Sequence, residues 1–266
     1  MHSRCHIHRI RSYTERALTP VLELLPPGPF RQILIKPNWV RHAESARFPI
    51  EALVTSTALI DHVIRACLQR YPSAEKITVG DVPLQSCDWA RLVKQAGIDR
   101  LQTAYGAHER PRVEIHDLRR ERFAPHRGYY RKDASFADGD PQGYREVILD
   151  DSSMLEPISG QHHRFRVSDY DPQRTVSSHR SGCHRYLVAG SALEADLVIN
   201  MPKMKTHQKA GVTGALKNLV GINGEKEHLV HHRRGTVKRG GDEFPPDTPP
   251  LVVLQSRVRE LLQKRS

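Results

Sequence analysis

The sequence lacks any pair of cysteines at C-x-x-C spacing; Cys5, Cys67, Cys87 and Cys183 lie far apart. That argues against a zinc ribbon, an iron–sulfur ligand set or a disulfide framework, and favours free thiols in a reducing compartment. No run of about 18 apolar residues exists to span a bilayer. No apolar stretch follows the basic start MHSRCHIHRIRSY, so it does not read as a secretory signal, and the cytoplasm is the expected location. Aromatic residues make up only 6% of the chain, too few for a stacking platform on single-stranded nucleic acid. Helix-turn-helix and zinc-finger spacings are missing as well, and no glycine pattern matches a P-loop or a dinucleotide fingerprint.

What the chain has in excess is positive charge. Its 41 Lys and Arg against 30 Asp and Glu give +11 before any of its 16 histidines is protonated. Such a balance suits anionic partners, from acidic metabolites to nucleic acid, without choosing among them. At 266 residues a sizeable core can be buried, while 18 prolines and 17 glycines imply much loop.

The densest chemistry lies between Ala195 and His228. Leu197-Val198-Ile199-Asn200 reads as a buried strand. Lys203, Lys205, His207 and Lys209 alternate after it, so an extended backbone would place them on one face. Gly211-Val212-Thr213-Gly214 then leads into a helical pattern, Ala215 to Val220, that Gly221 closes. A turn of this kind can aim amide N–H groups and a helix dipole at an anion. Thr213, Lys217, Asn218, Lys226 and His228 complete the cluster. A solvated basic loop is the competing account of the same lysines.

Upstream, strand Arg31–Ile35 delivers Lys36-Pro37-Asn38-Trp39 at its carboxyl end, and strand Lys76–Val79 delivers Gly80-Asp81. Ligands of parallel α/β sheets sit outside such ends. Helices are expected from Pro49 to Tyr71, with Ser56 or Thr57 as cap, and from Asp88 to Gly97; a third strand follows at Val113–Leu118. The alternation predicts an α/β fold with a mostly parallel central sheet flanked by helices, in one domain over 1–266. About 119–180 reads as a polar insertion of loops and short strands, and about 229–250 as a mobile basic loop. An amphipathic helix beginning near Thr14 opens the chain. Another begins at Leu251 and has barely started at Ser266, which reads as a piece of a longer protein.

ILIKPNWV at 33–40, VGDVP at 79–83 and DLVINMPKMKTHQKAGVTGALKNLVGINGEKEHLVHHRRG at 196–235 resemble the family known as domain of unknown function 362. The third block is long and specific. The resemblance implies that longer members continue with a glycine- and aspartate-rich segment lacking here, and that some carry ferredoxin-like modules. This chain has no cysteine run for one, so no iron–sulfur cluster is expected.

The residues point to a soluble enzyme acting on an anionic, carboxylate- or phosphate-bearing small molecule or polymer end. Lys203, Lys205, Lys217 and Lys226 would hold charge. Amides of Gly211 to Gly214 would take an oxyanion, with Thr213 and Asn218 beside them. His207 would be acid/base or, with His228, a ligand of a divalent metal. Asp81 would be a base or second ligand, and Lys36 and Asn38 would orient the substrate. Two other classes stay open: a non-catalytic binder of nucleic acid or polyanion, and a metal-binding scaffold.

Overall fold

The computed structural model describes residues 21–45, 47–126, 129–133, 139–167, 170–207 and 210–263. The opening helix near Thr14, for the most part, and Lys209 lie outside them.

In chain order, β1 (Gln32–Pro37), α1 (Thr57–Arg70), β2 (Lys76–Asp81), α2 (Trp89–Ala96), α3 (Ile98–Tyr105) and β3 (Arg112–Asp117) come first. Next are β4 (Phe123–His126), β5 (Tyr129–Lys132), β6 (Tyr144–Leu149), β7 (Phe165–Arg166), α4 (Pro172–Ser177), β8 (His179–Arg180), β9 (Cys183–Ala189) and α5 (Gly190–Leu193). The remainder is β10 (Leu197–Met201), β11 (Lys205–His207), β12 (Gly211–Thr213), α6 (Ala215–Asn218), β13 (His232–Arg233) and α7 (Pro250–Gln263).

Where the sequence suggests one domain with an insertion, the chain folds into two compact units: 1–81, 88–116 and 194–220 form the first, and 82–87, 117–193 and 221–266 the second. The first is built on the expected parallel sheet, in the order β10-β1-β2-β3. β1 lies parallel to both neighbours, with Ile35 opposite Val79 on one side and Ile199 on the other. A strand covered on both faces reads as a continuous apolar run, and Ile33, Leu34 and Ile35 are at most 2% exposed. Each such burial contributes about 1.5–3 kcal/mol.

α1 turns Ile60, Val63, Ile64 and Cys67 inward, an i, i+3, i+4, i+7 stripe. It starts at Thr57 because Ile50–Ala52 makes a separate 3₁₀ turn, so the expected helix from Pro49 is broken in two. α2 is bounded as its sequence predicts. The Asp88 carboxylate accepts from the Arg91 amide at 3.0 Å, and Gly97 ends the helix at φ +68°, where a Cβ would be strained.

Two expectations need correction here. The run Leu197–Asn200 forms a strand, but β10 is at the sheet's edge with Val198 39% exposed; among the described residues β1 is the one strand paired with it. The glycine-opened helix is a single turn, α6, continued by a 3₁₀ turn at Leu219–Ile222, so it offers little macrodipole.

The second unit carries the antiparallel sheet β6-β9-β8, the hairpin β4–β5 and the pair β7–β13. Tyr144 anchors it: its hydroxyl donates to the Leu118 carbonyl (3.1 Å) and accepts the Asp140 amide (2.9 Å). The segment expected to be a mobile basic loop is structured. β13 pairs with β7, and Asp242 accepts from both the Arg233 amide (2.6 Å) and its guanidinium (3.1 Å).

Candidate functional site

Within the first unit, β1, β2 and β10 end side by side, and their carboxyl ends gather most of the residues singled out in the sequence. Lys36 is fully buried and its ammonium lies 2.7 Å from an Asp81 carboxylate oxygen. The same ammonium donates to the Pro37 carbonyl (2.7 Å) and, at 3.4 Å, to Asn218 Oδ1. The other Asp81 oxygen accepts the Trp39 amide at 2.6 Å. Burial pulls the Lys36 ammonium below its ordinary range, and Asp81 opposes that by holding the charged form. Lys36 and Asp81 therefore face each other; at 0% and 2% exposure, neither is presented to solvent as the sequence reading had it.

Around this pair runs a polar frame. Asn218 Nδ2 donates to the Lys36 carbonyl (3.0 Å) and to Asn200 Oδ1 (2.7 Å), and Asn200 Nδ2 donates to the Ala215 carbonyl (2.9 Å). Thr55 accepts the Asn38 amide (2.8 Å) and donates to the Met201 carbonyl (2.7 Å), tying the end of β1 to the end of β10. Thr55 gives no sequence signal beyond those of an ordinary loop threonine. Asn200 could have been marked as an amide closing an apolar strand.

Lys205 stands over this frame, half-buried, its ammonium donating to Asn38 Oδ1 (2.7 Å) and the Leu53 carbonyl (2.9 Å). Both partners are neutral. An ammonium has three N–H donors, so these bonds leave one direction for a ligand. Burial lowers the Lys205 proton affinity. Asp81 raises it, and the neighbouring charges of Lys203 and Lys217 lower it again. Lys217 itself is exposed on α6.

β11 and β12 form a hairpin that pairs Lys205 with Thr213 and His207 with Gly211. Gly211, at φ +71°, takes the left-handed conformation at its turn side. Thr213 donates to the Lys205 carbonyl at 3.3 Å. The stretch expected to present bare amides thus begins as a paired strand, with Gly214 leading into α6. His207 Nδ1 accepts the Ala210 amide at 3.2 Å, so the neutral ring carries its proton on Nε2. In that tautomer Nε2 is a donor, which suits an anion contact and neither a base nor a proton-donating acid.

Lys226 and His228 belong to the second unit. Lys226 is buried, and the His228 ring lies 4.0 Å from Glu225 with its Nδ1 buried and unbonded. Burial lowers the His228 proton affinity. Among the described residues, the one cluster of three or more metal-type donors is Glu121, Glu225 and Glu227, which contains neither expected histidine. Its carboxylates are already engaged: Lys132 with Glu121, Arg120 with Glu225 at 2.7 Å, Arg174 with both Glu225 and Glu227. Burial pushes the Glu227 carboxyl up to about 7 against the pull of Arg174. This is a compensated ion-pair network that no local spacing announces, since Glu121 and Glu225 stand far apart in sequence.

Residues 144–263 match the model of a domain of unknown function, DUF362. The match spans a little under half of the chain and takes in the long sequence block at 196–235, so this stretch is similar to the DUF362 family. No curated protein and no solved structure matches the chain. The DUF362 stretch runs from β6 through α7 and supplies Lys203, Lys205, His207, Lys217 and Asn218; Lys36, Asn38 and Asp81 precede it. No helix among the described residues is long and apolar enough to cross a membrane.

A cleft of about 500 Å³ lies elsewhere in the first unit, lined by Glu75, Glu109, Arg110 and Arg112. These residues flank the amino ends of β2 and β3, the opposite edge from the lysine cluster, and their charges balance. Neither the edge nor the charge favours it as an anion site.

Proposed function

We propose that the carboxyl edge of the parallel sheet is a binding site for a small carboxylate- or phosphate-bearing molecule, the substrate of an enzyme. The observation that carries this reading is the charge around Lys205. The groups acting on its ammonium are one carboxylate, Asp81, already paired with Lys36, and two further lysines, Lys203 and Lys217. Four lysines against one carboxylate leave an unbalanced positive field in a half-buried place, where charge is screened less than at the surface. An anion of matching size relieves that repulsion.

In this reading Lys205 makes the central charge-assisted bond, Lys203 and Lys217 add field, and His207 Nε2–H offers a neutral donor. Lys36 and Asp81 support the floor. The chemical step is a reaction at a group next to the anion, which the neutral His207 imidazole polarises by hydrogen bonding without giving up its proton.

The test is titration calorimetry with inorganic phosphate and with citrate on the wild type and on Lys205→Met and Lys217→Ala. A charge-assisted hydrogen bond is worth about 1.5–3 kcal/mol, so Lys205→Met should weaken binding by about tenfold or more. Lys217→Ala should weaken it less. Unchanged affinity in both variants would end the assignment. Binding of generic duplex that falls steeply with salt, in place of either small anion, would favour a polyanion-binding role instead.

A further inference from the structure

Lys205 differs from an ordinary anion-binding lysine in what holds it. Its Nζ donates to Asn38 Oδ1 (2.7 Å) and to the Leu53 carbonyl (2.9 Å), and among the described residues it makes no ion pair. The carboxylate that acts on it, Asp81, is taken by Lys36 at 2.7 Å. A carboxylate partner would hold the third proton in place. Amide and carbonyl oxygens accept from a neutral amine as they do from an ammonium, so losing one proton breaks neither bond. With Cε and two N–H bonds fixed, the lone pair of the amine occupies the remaining tetrahedral direction, the one in which the ammonium aims its third N–H. Two neutral acceptors thus point a nucleophilic lone pair at the place where an anion would sit. Half-burial and the neighbouring charges of Lys203 and Lys217 favour this neutral form, the circumstances that make a lysine reactive toward carbonyls. Lys36 has no such direction, because its N–H groups go to Asp81, the Pro37 carbonyl and Asn218.

We propose that Lys205 is the nucleophile of this site and forms an imine with an oxo acid, a substrate whose carbonyl stands next to its carboxylate. The proposal rests on the anion-site reading above and names its substrate class. Lys203 and Lys217 hold the carboxylate. His207 lies two residues from Lys205 on β11, hence on the same face of the strand, and polarises the carbonyl oxygen through Nε2–H. The Nζ lone pair makes the C–N bond as the π pair of the carbonyl moves to oxygen. Both amine protons then leave with that oxygen as water, and the C=N bond to Lys205 remains.

The test incubates the full chain with pyruvate and sodium cyanoborohydride, which reduces an imine to a stable secondary amine, and maps the label by peptide mass spectrometry. The label should fall on Lys205 in preference to the exposed Lys217, and excess citrate or inorganic phosphate should suppress it. Acetone offers a carbonyl without the carboxylate; a lost charge-assisted bond of about 1.5–3 kcal/mol should make it label Lys205 about tenfold less, or lower still. Lys205→Arg keeps the charge and removes the nucleophile, so it should still bind citrate in calorimetry and take no label at that position. Labels spread over surface lysines without preference for Lys205, or equal labelling by pyruvate and acetone, overturn the proposal. If citrate and phosphate bind but Lys205 takes no label, this inference falls and the anion site stands. If neither anion binds, the anion site falls and this inference with it.

Discussion

Replacing Asp81 with Asn removes one charge and almost no volume, and the new amide oxygen can still accept the Trp39 amide. Lys36 is left fully buried without its counter-charge. Breaking a buried pair from one side costs about 3–5 kcal/mol. A second route sets a ceiling: Lys36 can give up its proton, and doing so at pH 7 from an unperturbed pKa near 10.4 costs about 5 kcal/mol. At pH 9 the same ceiling falls to about 2 kcal/mol. In the variant the folded Lys36 pKa is lowered further than in the wild type, so the unfolded chain binds the extra proton. Stability of the variant therefore rises with pH toward the unfolded value, and its deficit shrinks. The chain's two tryptophans, Trp39 and Trp89, sit edge to face in the first unit at 5.7 Å, so urea unfolding followed by their fluorescence reports that unit. The expected deficit is about 3–5 kcal/mol at pH 7 and at most about 2 kcal/mol at pH 9, with Lys36→Met added to Asp81→Asn recovering part of it. A deficit below about 1 kcal/mol at pH 7, or one equal at both pH values, refutes the reasoning.

Other outcomes follow from the same coordinates. Gly224→Ala would place a Cβ 2.3 Å from the Tyr144 ring; about 1–3 kcal/mol of stability should be lost, and an unchanged melting temperature would show that this approach is not tight. Glu227 is held up at about 7 from 4.5 by burial, so the folded state keeps a proton that the unfolded state releases. Its contribution to stability is present below about 4.5 and lost as pH rises toward 7, by about 3 kcal/mol at most. Glu227→Gln should flatten that slope in a pH series of melts, and an identical slope would count against it. Calorimetry on Lys205→Met and Lys217→Ala tests the anion site.

The first unit was the legible part, for a physical reason. Short β-branched runs closed by Pro37 or Gly80 say where a strand ends, and the end of a parallel strand is where ligands gather, so Lys36, Asn38 and Asp81 could be marked from sequence. Depth could not be read. That β1 and β2 would finish side by side, with Trp39 donating to Asp81, depends on register between distant segments. The apolar run at Leu197 gave the strand but not its edge position, because burial depends on how many neighbours a strand acquires. The second unit was hidden more deeply. Its sheet joins residues some 40 apart, and its buried carboxylate cluster brings Glu121 to Glu225 and Glu227 from a segment about a hundred residues away, so neither shows a local period.

Two lysines that close apolar strand runs look alike in sequence and differ in what they can do. Lys36 lies inside the strand, where an ammonium without water needs a carboxylate, and Asp81 is that carboxylate; the pair is balanced and has no charge left for a ligand. Lys205 lies beyond the strand, where partial hydration tolerates an ammonium held only by an amide oxygen and a carbonyl. Neutral acceptors orient a charge without cancelling it. The positive field at this edge therefore originates from Lys205 and its neighbours Lys203 and Lys217. The buried pair contributes by fixing the floor on which Asn38, the residue that aims Lys205, is held.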